Sequence, residues 1–155
     1  MESEGGPSSS LTWVHRAEQS VRTWEQSHAR GELPSVWPYG LDALRDHADV
    51  ALIDLAPPGR IARARARFAV GPRPVDGLAL TWDEDTAYRM QATHPRTRCA
   101  TGVIWLTDMV ETGNAPTRMV AMLGRAEAAW VLSEAQVEPV RRMLGRGATR
   151  VFAVP

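Results

Sequence analysis

The chain has 155 residues, eighteen basic and eighteen acidic side chains, and a formal net charge of zero. That length buries roughly 68–70% of the unfolded surface, enough for one core and one domain, and the charge balance gives no reason to expect nucleic acid or a strongly acidic substrate as partner. Every basic residue is Arg, which excludes a G-x-x-x-x-G-K-[ST] phosphate loop and a Lys Schiff base. Cys99 is the one cysteine, so neither an intramolecular disulfide nor a Cys-based zinc site can form.

Residues 1–10 are acidic and then Gly/Pro/Ser-rich, read as a disordered tail without the apolar run of a signal peptide. No stretch approaches the ~18 apolar residues of a membrane span. A soluble, cytoplasmic protein is expected, with membrane contact at most peripheral.

Six short apolar runs follow: Leu11–Val14, Val50–Leu55, Gly77–Trp82, Gly102–Leu106, Ala128–Leu132 and Val151–Val154. Most are continuous rather than alternating, as in strands covered on both faces. The connection from His15 to Gly40 is long and carries Trp24, Trp37 and Tyr39, as functional loops do and as loops anchored onto a domain also do.

Helical spacing appears between the runs. Leu41 and Leu44 start a short helix after the Pro38-Tyr39-Gly40 turn. Residues 60–69 read as a weaker helix holding four arginines, either a solvated face or a surface for anionic head groups. Asp83 or Asp85 caps a helix reaching about Thr93, before Pro95. Pro116 suits the first turn of a helix with Met119, Val120 and Leu123.

The last segment is the most explicit. Ser133 and Gln136 form a capping-box pattern, Val137, Val140, Met143 and Leu144 repeat at helical spacing, and Gly145 and Gly147 stop the helix before the final strand. Pro139 in the second turn predicts a kink, or a start nearer Glu138. The alternation implies an α/β, Rossmann-like, doubly wound and mostly parallel sheet of about six strands, with helices on both faces.

Such sheets place ligands at the carboxyl ends of their strands. The candidates there are His15 and Arg16, Asp83-Glu84-Asp85, Thr107-Asp108 and Ser133-Glu134. Arg16 is suited to gripping a carboxylate or phosphate, but a surface Arg and a satisfied His15 are the preferred readings. Asp83 and Asp85 form a D-x-D pair that either holds a metal-bound diphosphate or caps the following helix, the capping reading being preferred. Asp108 either orients a substrate hydroxyl or acts as a base, or it caps the next turn, the capping reading being preferred. The four histidines have no metal spacing, so no metal site is assigned.

Trp37-Pro38-Tyr39-Gly40-Leu41-Asp42-Ala43-Leu44, Ala129-Trp130-Val131-Leu132-Ser133-Glu134-Ala135 and the closing Arg150-Val151-Phe152-Ala153-Val154-Pro155 resemble the N-terminal domain of GT-B glycosyltransferases of the family-4 type. The likeness spans most of residues 11–155. It implies an acceptor-binding Rossmann-like half, a second half that binds the nucleotide-sugar, and transfer to an acceptor hydroxyl between them without a metal or further cofactor. A sugar acceptor, and a separate donor domain or chain, are the implied partners.

The chain departs from that pattern in three ways. His15-Arg16-Ala17-Glu18 stands where a Gly-rich turn is usual, Thr107-Asp108 stands where a His-Asp pair is common, and no two glutamates are eight apart. No donor half is read in these residues, so the polypeptide alone is expected to be inactive or a poor transferase. A metal-dependent D-x-D sugar-nucleotide transferase and a non-catalytic Rossmann-like binding module are the alternatives.

Overall fold

The computed structural model describes residues 10–16, 20–55, 75–145 and 149–154. Its centre is a six-stranded, wholly parallel sheet in the order β2-β1-β3-β4-β5-β6. The strands are β1 (Ser10–Arg16), β2 (Asp49–Leu55), β3 (Leu78–Thr81), β4 (Cys99–Gly102), β5 (Ala128–Val131) and β6 (Arg150–Ala153). Helices α1 (Val21–Ala29), α2 (Glu84–Thr93), α3 (Leu106–Glu111), α4 (Thr117–Leu123) and α5 (Glu134–Leu144), with a 3-10 helix at Pro38–Asp46, lie between them. The expected α/β, Rossmann-like architecture is present.

Strand alternation sorts the sheet into two faces. Register places Trp13 beside Leu52 and Leu80, and Trp130 beside Gly102 and Phe152, all on one face. There Trp13, Trp37 and Leu41 form a core into which Leu44, Val50, Leu80 and Trp130 pack. The opposite face carries Val14, Ala79, Ala129, Val131 and Val151, buried against Ala87 and Met90 of α2, Leu123 of α4 and Val140 of α5. The reversal of strand order explains the division. From β1 to β2 the chain steps one way across the sheet and from β3 onward the other, so right-handed crossovers land on opposite faces.

Several local expectations hold at residue level. Asp83 is the N-cap of α2, Pro116 stands just before α4, and Gly145 ends α5 with φ of 69°, a left-handed conformation that suits glycine. At α5 the capping box is only half made. The Gln136 side chain accepts from Leu132 N–H at 3.1 Å, whereas Ser133 caps no backbone donor. Pro139 sits inside an uninterrupted α5 that begins at Glu134 rather than near Glu138.

Three expectations are corrected. The fourth strand is Cys99–Gly102, and Leu106, expected as a strand residue, opens α3 instead. Register decides this, since Thr81 pairs with Thr101 and Ala100 with Ala128, which makes the small residues the ones inside the sheet. The connection after β1 holds a helix, α1, capped by the Ser20 side chain, which accepts from Thr23 N–H at 3.1 Å. β1 itself runs to Arg16 because all seven of its residues pair with β2. Residues 60–69, Gly147 and the expected tail up to residue 9 lie outside the described residues, while Ser10 opens β1.

Candidate functional site

The strand order reverses between β1 and β3, which opens a crevice at their carboxyl ends. Arg16, the last residue of β1, reaches across it. Its Nη2 lies 2.7 Å from Asp83 Oδ1 and 3.3 Å from Asp85 Oδ2, and its Nε donates to Thr86 Oγ1 at 3.0 Å. Asp83 is fixed from the other side: Oδ1 accepts the Thr86 N–H at 2.8 Å and Oδ2 accepts the Thr86 hydroxyl at 3.1 Å. Asp85 also meets Arg89 Nε at 3.0 Å, one turn along α2. The two arginines and two aspartates sum to no formal charge, yet present donors and acceptors of both signs at the crevice.

Glu84, between the two aspartates, points elsewhere. It is 2% exposed, and its carboxylate accepts from the backbone N–H groups of Ile104 at 2.9 Å and Trp105 at 2.8 Å. The first turn of α2 therefore ties the end of β1, through Asp83, to the loop after β4, through Glu84. That loop presents Trp105 with 63% of its surface exposed. Met109 in α3 and Leu132 after β5 are also exposed.

The structure thus unites Arg16, Asp83 and Asp85. Thr107 and Asp108, expected directly after a strand, instead fall in the first turn of α3, where Asp108 is exposed. Ser133 and Glu134 stand exposed at the end of β5, on the same edge of the sheet. His15 is apart from them. It lies inside β1, 4% exposed, opposite Asp54 of β2 and 6.0 Å from the Trp13 ring centroid, on the face away from Arg16. Burial pushes its imidazole below the ordinary value of 6.5, and the Asp54 charge opposes that only in part.

The roles of Glu84 and Trp105 have no signature in the sequence. An acidic triplet after a strand signals a cap, and nothing in Asp-Glu-Asp says that its middle member turns inward. Among the described residues no group of three or more His, Cys, Asp and Glu is placed to hold a metal ion. Nor is any helix among them long and apolar enough to cross a membrane. Searched against family models, curated proteins and solved structures, the chain matches none.

Proposed function

We propose that this chain is the acceptor-binding half of a GT-B type glycosyltransferase, completed by a nucleotide-sugar-binding domain or chain. The observation that carries the reading is the Arg16–Asp83–Asp85 network at the point where strand order reverses. A charge-neutral set of fixed donors and acceptors suits a polyhydroxylated acceptor better than a bare anion, and the exposed Trp105 offers a flat apolar face for a ring to lie on. In this reading Arg16 and Asp85 orient acceptor hydroxyls, Ser133 and Glu134 border the same edge, and Asp108 serves as base. As Asp108 takes the hydroxyl proton, the acceptor oxygen bonds to the anomeric carbon and the nucleoside diphosphate leaves with the electrons of the broken bond. Positioning of both reactants requires both walls of the cleft.

The alternative D-x-D metal reading draws less support, because Arg16 bridges Asp83 and Asp85 and the Asp83 carboxylate is engaged by Thr86. A module that binds partners through its Trp-rich connection is also less supported, since Trp37 is packed into the core.

The test is amide chemical-shift mapping with a panel of simple glycosides and cyclic polyols, alongside turnover assays with common nucleotide-sugars. Perturbations centred on Arg16, residues 83–86 and Trp105, with no turnover by the isolated chain, are expected. Ligands that bind only elsewhere would remove the acceptor assignment. Turnover by the chain alone would remove the split between acceptor and donor halves.

A further inference from the structure

At the opposite, amino-terminal edge of the sheet two clefts adjoin. One, about 310 Å³, lies between α2 and α4 and is lined by Tyr88, Ala92, Ala121 and Met122, with Arg118 and Arg125 beside them. The other, about 240 Å³, is lined by Arg96 and Arg98, just ahead of β4, with Glu127 ahead of β5. Gln91 and Arg125 belong to both, so the two form one trough. Four guanidiniums thus face one carboxylate in a chain whose formal charge is zero.

That carboxylate is engaged: Arg98 Nε lies 2.9 Å from Glu127 Oε1. Arg96, Arg118 and Arg125 form no salt bridge with a described carboxylate. Guanidiniums keep their charge at any ordinary pH, so gathering them without counter-charge is unfavourable unless an anion joins them. The trough is also graded, apolar beside Tyr88 and Met122 and cationic beside Arg96 and Arg98.

We propose that this trough binds an organophosphate ester, its phosphate held by Arg96, Arg98 and Arg125 and its apolar substituent laid against Tyr88 and Met122. The shared chemistry is a phosphate joined to an apolar group, present in soluble esters and in lipid head groups alike. This inference is independent of the transferase reading, because it concerns the other end of the strands.

The experiment uses the full chain with three probes: hexyl phosphate below its micellar range, inorganic pyrophosphate, and phosphatidylcholine vesicles with and without phosphatidylglycerol. Titration calorimetry and co-sedimentation are read for the native chain, Arg125→Gln, the Arg96→Gln/Arg98→Gln pair, and Arg22→Gln as a distant control. All the substituted arginines are exposed, and circular dichroism verifies that each variant folds. Saturable binding of hexyl phosphate, tighter than of pyrophosphate and weakened about tenfold by Arg125→Gln but not by Arg22→Gln, is expected.

Binding of the soluble ester alone would identify a soluble ligand. Phosphatidylglycerol-dependent sedimentation with the same Arg125 sensitivity would identify a lipid head group, and either outcome supports the site. Absence of binding to every probe, binding unchanged by both sets of trough substitutions, or pyrophosphate binding as tight as hexyl phosphate would overturn it.

Discussion

Glu84 and Trp105 are joined by a hydrogen bond from the Trp105 backbone N–H to a carboxylate that is 2% exposed, so an almost fully buried acid holds in place an aromatic side chain that is 63% exposed. The same carboxylate takes the Ile104 N–H. Removing it strands two backbone donors. Glu84→Ala is expected to destabilise the fold by about 3 kcal/mol, because hydrogen bonds to charged groups contribute about 1.5–3 kcal/mol each and only part is recovered by solvent. Glu84→Gln retains an acceptor oxygen and should cost less than half as much. Denaturant unfolding of the two variants measures the difference. Equal losses would show that side-chain volume, and not the carboxylate bridge, is what the site needs.

Arg16 and Asp83 separate a helix cap from a cross-strand ion pair. Asp83→Ala loses both and should cost about 2 kcal/mol, at the upper end for an N-cap. Asp83→Asn keeps an oxygen for the Thr86 N–H and should cost about half of that. Arg16→Ala leaves the cap intact, and the pair is partly open to solvent, so about 1 kcal/mol is expected. If Arg16→Ala proved as damaging as Asp83→Ala in thermal or chemical unfolding, the network would be chiefly a structural brace, which would weaken its assignment as a ligand site.

The legible part of this fold was what repeats: six apolar runs separated by caps and glycine or proline stops give the parallel sheet without any knowledge of packing. What stayed hidden depends on pairing. Gly102-Val103-Ile104-Trp105-Leu106 has a more strand-like composition than Cys99-Ala100-Thr101-Gly102, yet the latter is β4, because its small side chains fit between Thr81 and Trp130. Gly102 shows the constraint. A Cβ there would overlap the Trp82 carbonyl oxygen and come within 2.9 Å of Trp130 Nε1. α1 is hard to read from the sequence for a related reason. Its sequence, Val-Arg-Thr-Trp-Glu-Gln-Ser-His-Ala, lacks a broad apolar stripe, and only the Ser20 cap marks its start. Arg16, Asp83 and Asp85 could be proposed from position after strands, but their mutual contact required the strand order.

Gly102→Ala follows from that geometry. The added methyl meets backbone on one side and the indole of Trp130 on the other, neither of which can withdraw without moving β3 or β5. A loss of about 2 kcal/mol or more is expected, in the range of overpacked cores. Near-ultraviolet circular dichroism should change with it, because Trp130 stacks on Trp13 with ring centroids 6.5 Å apart. A variant with native stability and an unchanged tryptophan signal would mean that β4 is not seated against Trp82 and Trp130 as described.

Cys99 offers a probe of the same strand. It is 1% exposed at the start of β4, and burial pushes its thiol above the ordinary value of 9.0, although Gln91 Nε2 donates to the sulfur at 3.0 Å and opposes the shift. Thiolate is the reactive form, so the native chain should react with a thiol reagent far more slowly than the unfolded chain. Labelling followed across a denaturant series should rise with the unfolding transition. Rapid labelling under native conditions would place β4 at an accessible edge rather than between β3 and β5.

His15 sets a pH dependence whose direction is fixed by burial. Its folded value lies below 6.5, so on acidification the unfolded chain takes up a proton at this residue before the folded chain does. The stability it contributes is complete above about pH 6.5 and falls as the pH drops through that value toward the lower folded one. His15→Gln removes the titration. Between about pH 8 and about pH 5.5 the native chain should therefore lose more unfolding free energy than the variant. The carboxylates of Glu32 and Glu127, both held below the ordinary 4.5 by their arginine partners, stay ionised across that window and leave the comparison clean. Parallel pH profiles for the two proteins would mean that Asp54 fully offsets the burial, so that the imidazole titrates alike in the folded and unfolded chain.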